Sequence, residues 1–279
     1  MISVLILTKN EQTNLPECLQ SVSWSNDIVV FDSYSTDRTC EIAEAFGARV
    51  IQRTFDNYGA QREAARQVDY RNQWVLALDA DERPDEQLVD EMQRIASSSE
   101  TKPIIYRMRR KDHFMGRWIK RTTLYPSWFL RFYRPTHIRY KPRAVHEYPD
   151  YAGEAGMLNG HLLHYSFNKG LTEWLLKHVR YAELEASENL SNLQRTISLK
   201  DLAQTISTDP IARRHALKQL SFRMPFRPAL RFFYSYFVRF GFLDGYAGFQ
   251  YCLMLAMYER MIVLNLLQQR YHSDTEHRR

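Results

Sequence analysis

Residues 74–86 read WVLALDADERPDE: five apolar residues run straight into Asp79, Asp81 and Glu82, with Asp85 and Glu86 close behind. A short apolar run bounded by polar residues reads as a buried strand. Carboxylates repel one another, so three of them within four positions at a strand end call for a cation. The D-x-D spacing offers the oxygen ligands a hard divalent ion prefers, with room left for water or substrate phosphates. The competing reading is an acidic first helical turn after Pro84, where Glu82, Asp85 and Glu86 would favour the dipole. That reading accounts for Asp85 and Glu86 and leaves Asp79 unexplained.

Upstream, strand and helix patterns alternate. ISVLIL (2–7), DIVVF (27–31) and ARVI (48–51) read as strands. Between them, Leu15, Cys18, Leu19 and Val22 share one helical face behind Pro16, and a second helix is expected from residues 35–37 to Gly47. A third helix is expected over 59–68 and a fourth after Pro84, with Leu88, Met92 and Ile95 inward. Strands separated by single helices pair in parallel through right-handed crossovers, giving an α/β sheet. Ligands of such sheets gather at the carboxyl ends of strands, where Thr8, Asp32 and Asp79 fall.

After residue 102 the pattern turns to strands in IIYRMR, WFLRFY and LNGHLLHY, joined by basic and aromatic loops. Helices are expected over about 171–193 and 198–222. The chain therefore divides into 1–168, in two halves (1–101 and 102–168), and a helical extension, 169–279.

Charge is arranged in blocks. Residues 1–101 hold 9 Lys/Arg against 18 Asp/Glu, whereas residues 102–143 hold 13 against 1. An acidic first third argues against a nucleic-acid partner, and the basic block suits an anionic one. Three scattered cysteines fit neither a disulfide framework nor a zinc site and suit a reducing cytoplasm. The opening MISVLILTKN lacks the basic leader of a secretory signal. In the tail, Arg223, Arg227, Arg231 and Arg239 are threaded through aromatics, and the longest uncharged run, 245–258, is too short to span a bilayer. This pattern suits a helix lying in the membrane interface, hence a cytoplasmic protein peripheral on the inner face of the cytoplasmic membrane. The bland alternative is a core helix pair with Arg salt bridges.

SVLILTKNE (3–11), IVVFDSYSTDRT (28–39), GAQREAA (59–65) and LALDADE (76–82) resemble, in order, the motifs of the family 2 glycosyltransferases. GRWI, YPSWFLRFYRP, VHE and HYSF further resemble the branch of lipopolysaccharide inner-core β-1,4-glucosyltransferases. The resemblance implies a GT-A fold, Rossmann-like with a mainly parallel sheet, carrying a membrane-associating helical extension. It implies an inverting, metal-dependent transferase moving a hexose, glucose from UDP-glucose, to a lipid-linked saccharide such as the lipopolysaccharide inner core. Thr8, Asn10 and Glu11 would line the nucleoside site, Asp32 would accept from the uracil imide, and Arg62 and Asp79 would approach the nucleotide. Asp81 would bind Mg²⁺ or Mn²⁺, with His164 completing the metal shell, contacting the diphosphate or serving only structure.

The E-D pair that many relatives use as base is absent. Glu147, in VHE, is the favoured general base, with Asp112 the competitor unless it merely neutralises Arg110 and Lys111. His146 and Arg131 are the acceptor-side candidates. A polyprenyl-phosphate acceptor and a non-catalytic membrane adaptor are the alternative readings. A dehalogenase-like phosphatase also uses D-x-D, but after its first strand.

Overall fold

The computed structural model describes residues 1–98, 103–123, 125–140, 149–194, 224 and 226–276. They fall into two compact units, Met1–Lys169 and Gly170–Arg279.

The first unit is built on a nine-stranded sheet. Its leading half is parallel: β1 (Ile2–Thr8), β2 (Ile28–Asp32), β3 (Arg49–Gln52) and β4 (Trp74–Asp79) lie in the order β3-β2-β1-β4. Helices α1 (Leu15–Ser21), α2 (Thr39–Ala45), α3 (Tyr58–Arg66) and α4 (Glu86–Ser97) follow the strands. Because successive side chains of a strand point to opposite faces, Val4, Ile6, Leu76 and Leu78 pack with Leu15, Leu19 and Met92, while Leu5, Val29, Val75 and Ala77 pack with Ala65. Burial on both faces explains why these strands read as unbroken apolar runs.

Two boundaries differ from the sequence reading. Helix α2 begins at Thr39 rather than at 35–37, because Ser35 and Asp37 are engaged in the preceding loop: Ser35 donates to Asp32, and Asp37 accepts from the backbone of Gln12. After Asp81 the chain makes a further short strand, β5 (Glu82–Pro84), before Asp85 caps α4 by accepting from the Leu88 N–H at 3.0 Å. Glu82 is therefore not part of a helical first turn.

The second half of the sheet is mixed. β6 (Ile105–Phe114), β8 (Ser127–Tyr133) and β11 (Gly156–His164) extend it in the order β4-β8-β6-β11-β5, and β7 (Arg117–Trp118) hangs from β6. β11 runs parallel to β6 and antiparallel to β5, so His164 stands opposite Asp112 on one side and Glu82 on the other. Gly160 lets β11 lie on α4: a Cβ there would sit 2.3 Å from the Leu88 backbone. β9 (Ile138–Tyr140) and β10 (Pro149–Tyr151) form a separate ribbon.

In the second unit, α5 (Leu171–Gln194) packs on α7 (Gly245–Glu276) through Ala182, Ala186, Ile262 and Leu266. Between them come α6 (Arg227–Phe233), a π-helical turn (Tyr234–Val238) and a 3-10 turn (Gly241–Asp244). The helix expected over 198–222 lies outside the described residues. Among the described residues, no helix is long and apolar enough to cross a membrane.

Candidate active site

Parallel pairing aligns Thr8 with Asp32 and Leu7 with Asp79, which collects the carboxyl ends of β1, β2 and β4 at one edge. Asp32 is fully buried there. Its Oδ1 accepts from Thr8 Oγ1 (2.9 Å) and Ser35 Oγ (2.5 Å), and its Oδ2 from Ser35 N (2.8 Å) and Gln52 Nε2 (3.1 Å). Burial opposes ionisation, but these donors outweigh it and hold the pKa below the usual carboxylate range. A carboxylate has about four acceptor sites, and all four are engaged. Asp32 thus organises the 33–36 loop, and a base could reach it only by replacing one of these donors.

That loop is tied to the β1 exit. Asn10, in the left-handed region at φ 55°, donates its N–H to Ser35 Oγ and accepts from the Thr36 N–H at 2.8 Å. The side chain of Glu11 meets Lys169 Nζ at 3.0 Å and Asn14 Nδ2 at 2.8 Å. Burial raises its pKa against the opposing pull of both partners. Lys169 also donates to the Asn10 carbonyl at 2.8 Å, so it closes this edge from the far end of the first unit.

At the end of β4, Asp79 lies between two guanidinium groups: Arg62 of α3 at 3.0 Å and Arg131 of β8 at 2.5 Å. Desolvation alone would raise its pKa, but Arg131 and Arg62 outweigh it and hold the carboxyl well below its ordinary value. Arg131 also reaches Glu82 at 3.3 Å, and Arg110 approaches Glu82 at 3.7 Å. Glu82 accepts from the Asp79 N–H at 3.1 Å. Arg131, read from the sequence as an acceptor or diphosphate contact, is a buried side chain that here pairs with Asp79 and Glu82.

Asp81 lies in the turn between β4 and β5, and its carbonyl accepts from the Tyr165 N–H at 2.9 Å. This bond and the β5–β11 register bring His164 Nε2 to 3.3 Å from Asp81 Oδ2. On the other side, His164 Nδ1 meets Asp112 Oδ1 at 2.6 Å, and Arg110 Nε reaches the same oxygen at 3.0 Å. Burial and Arg110 disfavour the imidazolium, but Asp81 and Asp112 outweigh them and lift its pKa to about 9. Burial likewise opposes the Asp112 carboxylate, whereas His164 and Arg110 lower its pKa. Asp112, considered as a base, is instead held by these two neighbours. The expectation that it only neutralises Arg110 and Lys111 captures the first contact and misses His164.

One carboxylate and one imidazole, converging from adjacent elements, suit a divalent ion, with water and diphosphate oxygens in its remaining positions, once the ion displaces the proton that Asp81 and Asp112 favour on His164. Among the described residues, no group of three or more His, Cys, Asp or Glu side chains converges for metal binding. Among the described residues, Asp81 and His164 are the pair whose geometry could hold such an ion. Asp85 also does more than start α4, since it accepts from the His161 N–H at 2.9 Å. His146 and Glu147 lie outside the described residues. The roles of Lys169, Ser35 and Gln52 were not read from the sequence; their only signals are a basic residue after HYSFN and polar residues at strand ends. Glu82, read among the acids that call for a cation, is paired here with Arg131 and Arg110.

The sequence model of glycosyl transferase family 2 matches residues 3–155. An uncharacterised glycosyltransferase of Rickettsia conorii is 27% identical, covering 96% of this chain and 90% of its own. The lipopolysaccharide core biosynthesis glycosyltransferase LpsC of Rhizobium meliloti is 26% identical over 70% of this chain and 73% of its own. Among solved structures, glucosyl-3-phosphoglycerate synthase of Mycobacterium tuberculosis with Mg²⁺ and UDP aligns at a TM-score of 0.36 and 19% identity, over 49% of this chain and 57% of that one. In its complex with Mn²⁺, UDP and glucosyl-3-phosphoglycerate, the same enzyme aligns at 0.33 and 22%, over 44% of this chain. The alignment spans about half the length of that synthase (47%).

Proposed function

The chain belongs to glycosyl transferase family 2 and has the GT-A fold, and from that premise we propose that it moves glucose from UDP-glucose, with inversion, onto a lipid-linked saccharide of the lipopolysaccharide inner-core type. The observation that carries this reading is the approach of Asp81 and His164 to 3.3 Å beside Asp79, at the carboxyl end of β4. The likeness to LpsC supports the acceptor class.

In this reading Thr8, Asn10 and Glu11 border the nucleoside. The uracil imide N–H takes the place of one hydroxyl donor on Asp32, an exchange that keeps the number of hydrogen bonds this carboxylate accepts. Arg62 meets the nucleotide while remaining paired with Asp79. Asp81 and His164 would hold Mg²⁺ or Mn²⁺, a group that would neutralise charge on the departing diphosphate. Glu147 takes the proton from the acceptor hydroxyl as its oxygen bonds to the anomeric carbon and the bond from that carbon to the diphosphate breaks. The commitment of Asp112 to His164 and Arg110 favours Glu147 in this role. His146 contacts the acceptor, whose negative charge is drawn by the basic residues of 102–143.

Calorimetry with UDP and Mn²⁺ tests the reading. Metal-dependent UDP binding that is lost in Asp81→Ala supports it; absence of binding, or binding unchanged in that variant, overturns it. A donor screen tests the base contact, and preference for GDP-mannose over UDP-glucose would refute the role given to Asp32.

A further inference from the structure

We propose that Lys111, Trp118, Lys120 and Tyr125 form a subsite for an acidic group, phosphate or carboxylate, carried on a sugar ring. Such a subsite deepens the transferase reading and rests on it for one point, that the sugar belongs to the acceptor.

The residues gather at the β6–β7 hairpin. Antiparallel pairing sets Trp118 opposite His113, while β11 sets Leu163 beside Lys111 and His161 beside Arg109. Tyr125 stands just ahead of β8. Trp118 and Tyr125 meet edge to face, with ring centroids 5.0 Å apart and planes at 82°. Two ammonium groups share the Trp118 ring: Lys111 Nζ lies 5.2 Å and Lys120 Nζ 5.3 Å from its centroid. Lys120 Nζ is also 5.5 Å from the centroid of Tyr125.

This corner is held from behind. Tyr125 Oη lies 2.9 Å from His161 Nε2, and His161 Nδ1 lies 3.2 Å from Asp85 Oδ2. Burial, Lys111 and Arg109 disfavour the imidazolium and lower the pKa of His161. A neutral imidazole donates from one nitrogen and accepts at the other. With Nδ1–H given to Asp85, Nε2 accepts from the Tyr125 hydroxyl. Asp85 is fixed in turn by the backbone N–H groups of His161 and Leu88. The start of α4 thus sets the direction of the Tyr125 ring through two side chains.

Charge selects the ligand. Like charges gathered on one ring repel, and the electron-rich face of the ring offsets this only in part. The neighbouring acids are committed elsewhere: Asp112 to His164 and Arg110, and Asp85 to His161, with Lys111 at 3.8 Å. Residues 115–123 hold Arg117, Lys120 and Arg121 and no acid. Lys120 is exposed and, among the described residues, forms no ion pair. An anion beside these two ammonium groups relieves the repulsion. Lysine is a point charge without the planar fork of arginine, so phosphate and carboxylate suit it equally. The rings supply the other half of the recognition, since their negative faces attract the slightly positive C–H bonds of a sugar.

Lys111 and Asp112 are consecutive in β6, so their side chains leave on opposite faces. The subsite therefore adjoins the Asp112–His164 contact without sharing its face. An acid held there belongs to a part of the acceptor away from the attacked hydroxyl, where binding energy can position the reacting part.

The test is saturation-transfer NMR on the full chain with glucose, glucuronate and glucose 6-phosphate, in EDTA so that no metal bridges a ligand to Asp81. Both acidic sugars should bind roughly tenfold more tightly than glucose, about what two surface ion pairs supply, and high salt should erase the difference. Lys111→Gln with Lys120→Gln should bring the acidic sugars to the level of glucose, with circular dichroism and calorimetric UDP binding unchanged. Trp118→Leu should abolish transfer to all three. No transfer to the acidic sugars, or transfer unchanged in the lysine variant, would overturn the proposal. So would their displacement by an equal concentration of acetate or inorganic phosphate, which would assign the lysines to simple anions. Metal-dependent UDP binding in any failing case leaves the transferase reading standing.

Discussion

His164 Nδ1 meets Asp112 Oδ1 at 2.6 Å, and this contact leaves Nε2 facing Asp81. A carboxylate behind a ligating imidazole fixes both its tautomer and its orientation, and loss of such a partner costs 10–100-fold in metal affinity, roughly, in comparable sites. Asp112→Asn keeps the shape and removes the charge. It should weaken Mn²⁺ binding by about that factor, measured by calorimetry at fixed UDP, with the far-UV spectrum unchanged. Unaltered Mn²⁺ affinity would make the contact purely structural.

Arg131 neutralises Asp79 and the fully buried Glu82 together. Removing one partner of a buried pair leaves an uncompensated charge, which costs about 3–5 kcal/mol. Arg131→Met should therefore lower the urea midpoint by an equivalent amount. Adding Glu82→Gln should recover part of the loss. A double variant no more stable than Arg131→Met would refute this coupling.

Asp27 governs acid stability at the opposite edge of the sheet. Its buried carboxylate accepts from Ser3 Oγ at 2.5 Å, the Arg71 N–H at 2.9 Å and Arg49 Nη2 at 2.8 Å. Burial would raise its pKa, but these partners lower it below the ordinary value. Since the folded pKa lies below the unfolded one, the stabilisation is complete above the unfolded value, about 3.9. It is lost as pH falls from there through the folded pKa. Urea titrations across this range should show wild type losing stability more steeply than Asp27→Asn. Identical slopes would contradict the assignment.

Gly160→Ala places a methyl group against the backbone of Leu88, which cannot rotate away as a side-chain tip could. Overpacking of this kind costs about 1–3 kcal/mol. Thermal unfolding should show the loss. The strand carrying His164 should also move, weakening Mn²⁺ binding more than UDP binding without metal.

The parallel half of the sheet was legible because strands buried on both faces must be apolar throughout, as ISVLIL and WVLAL are. The same runs put Thr8, Asp32 and Asp79 at strand ends. The rest of the site depends on register between distant segments. Nothing near Asp112 signals His164, which lies opposite it only through the β6–β11 pairing. Glu82 could be read as part of the cation-seeking cluster or as a helix-turn acid because ERP is too short to declare a strand, and its counter-ions Arg110 and Arg131 come from two later strands. The saturation of Asp32 was equally hidden, since Gln52 reaches it from β3, a strand that pairs with β2.

The pairing of β11 with β5 has a consequence for biosynthesis. The D-x-D stretch leaves the ribosome long before residues 156–164, and local contacts can assemble the parallel half first. Contacts between segments far apart in sequence carry a larger loop-closure cost and form late. Asp81 therefore emerges with every neighbouring motif in place and without its imidazole partner. A nascent chain halted before Gly156 would carry the recognisable signature of the enzyme and still lack the imidazole that faces Asp81.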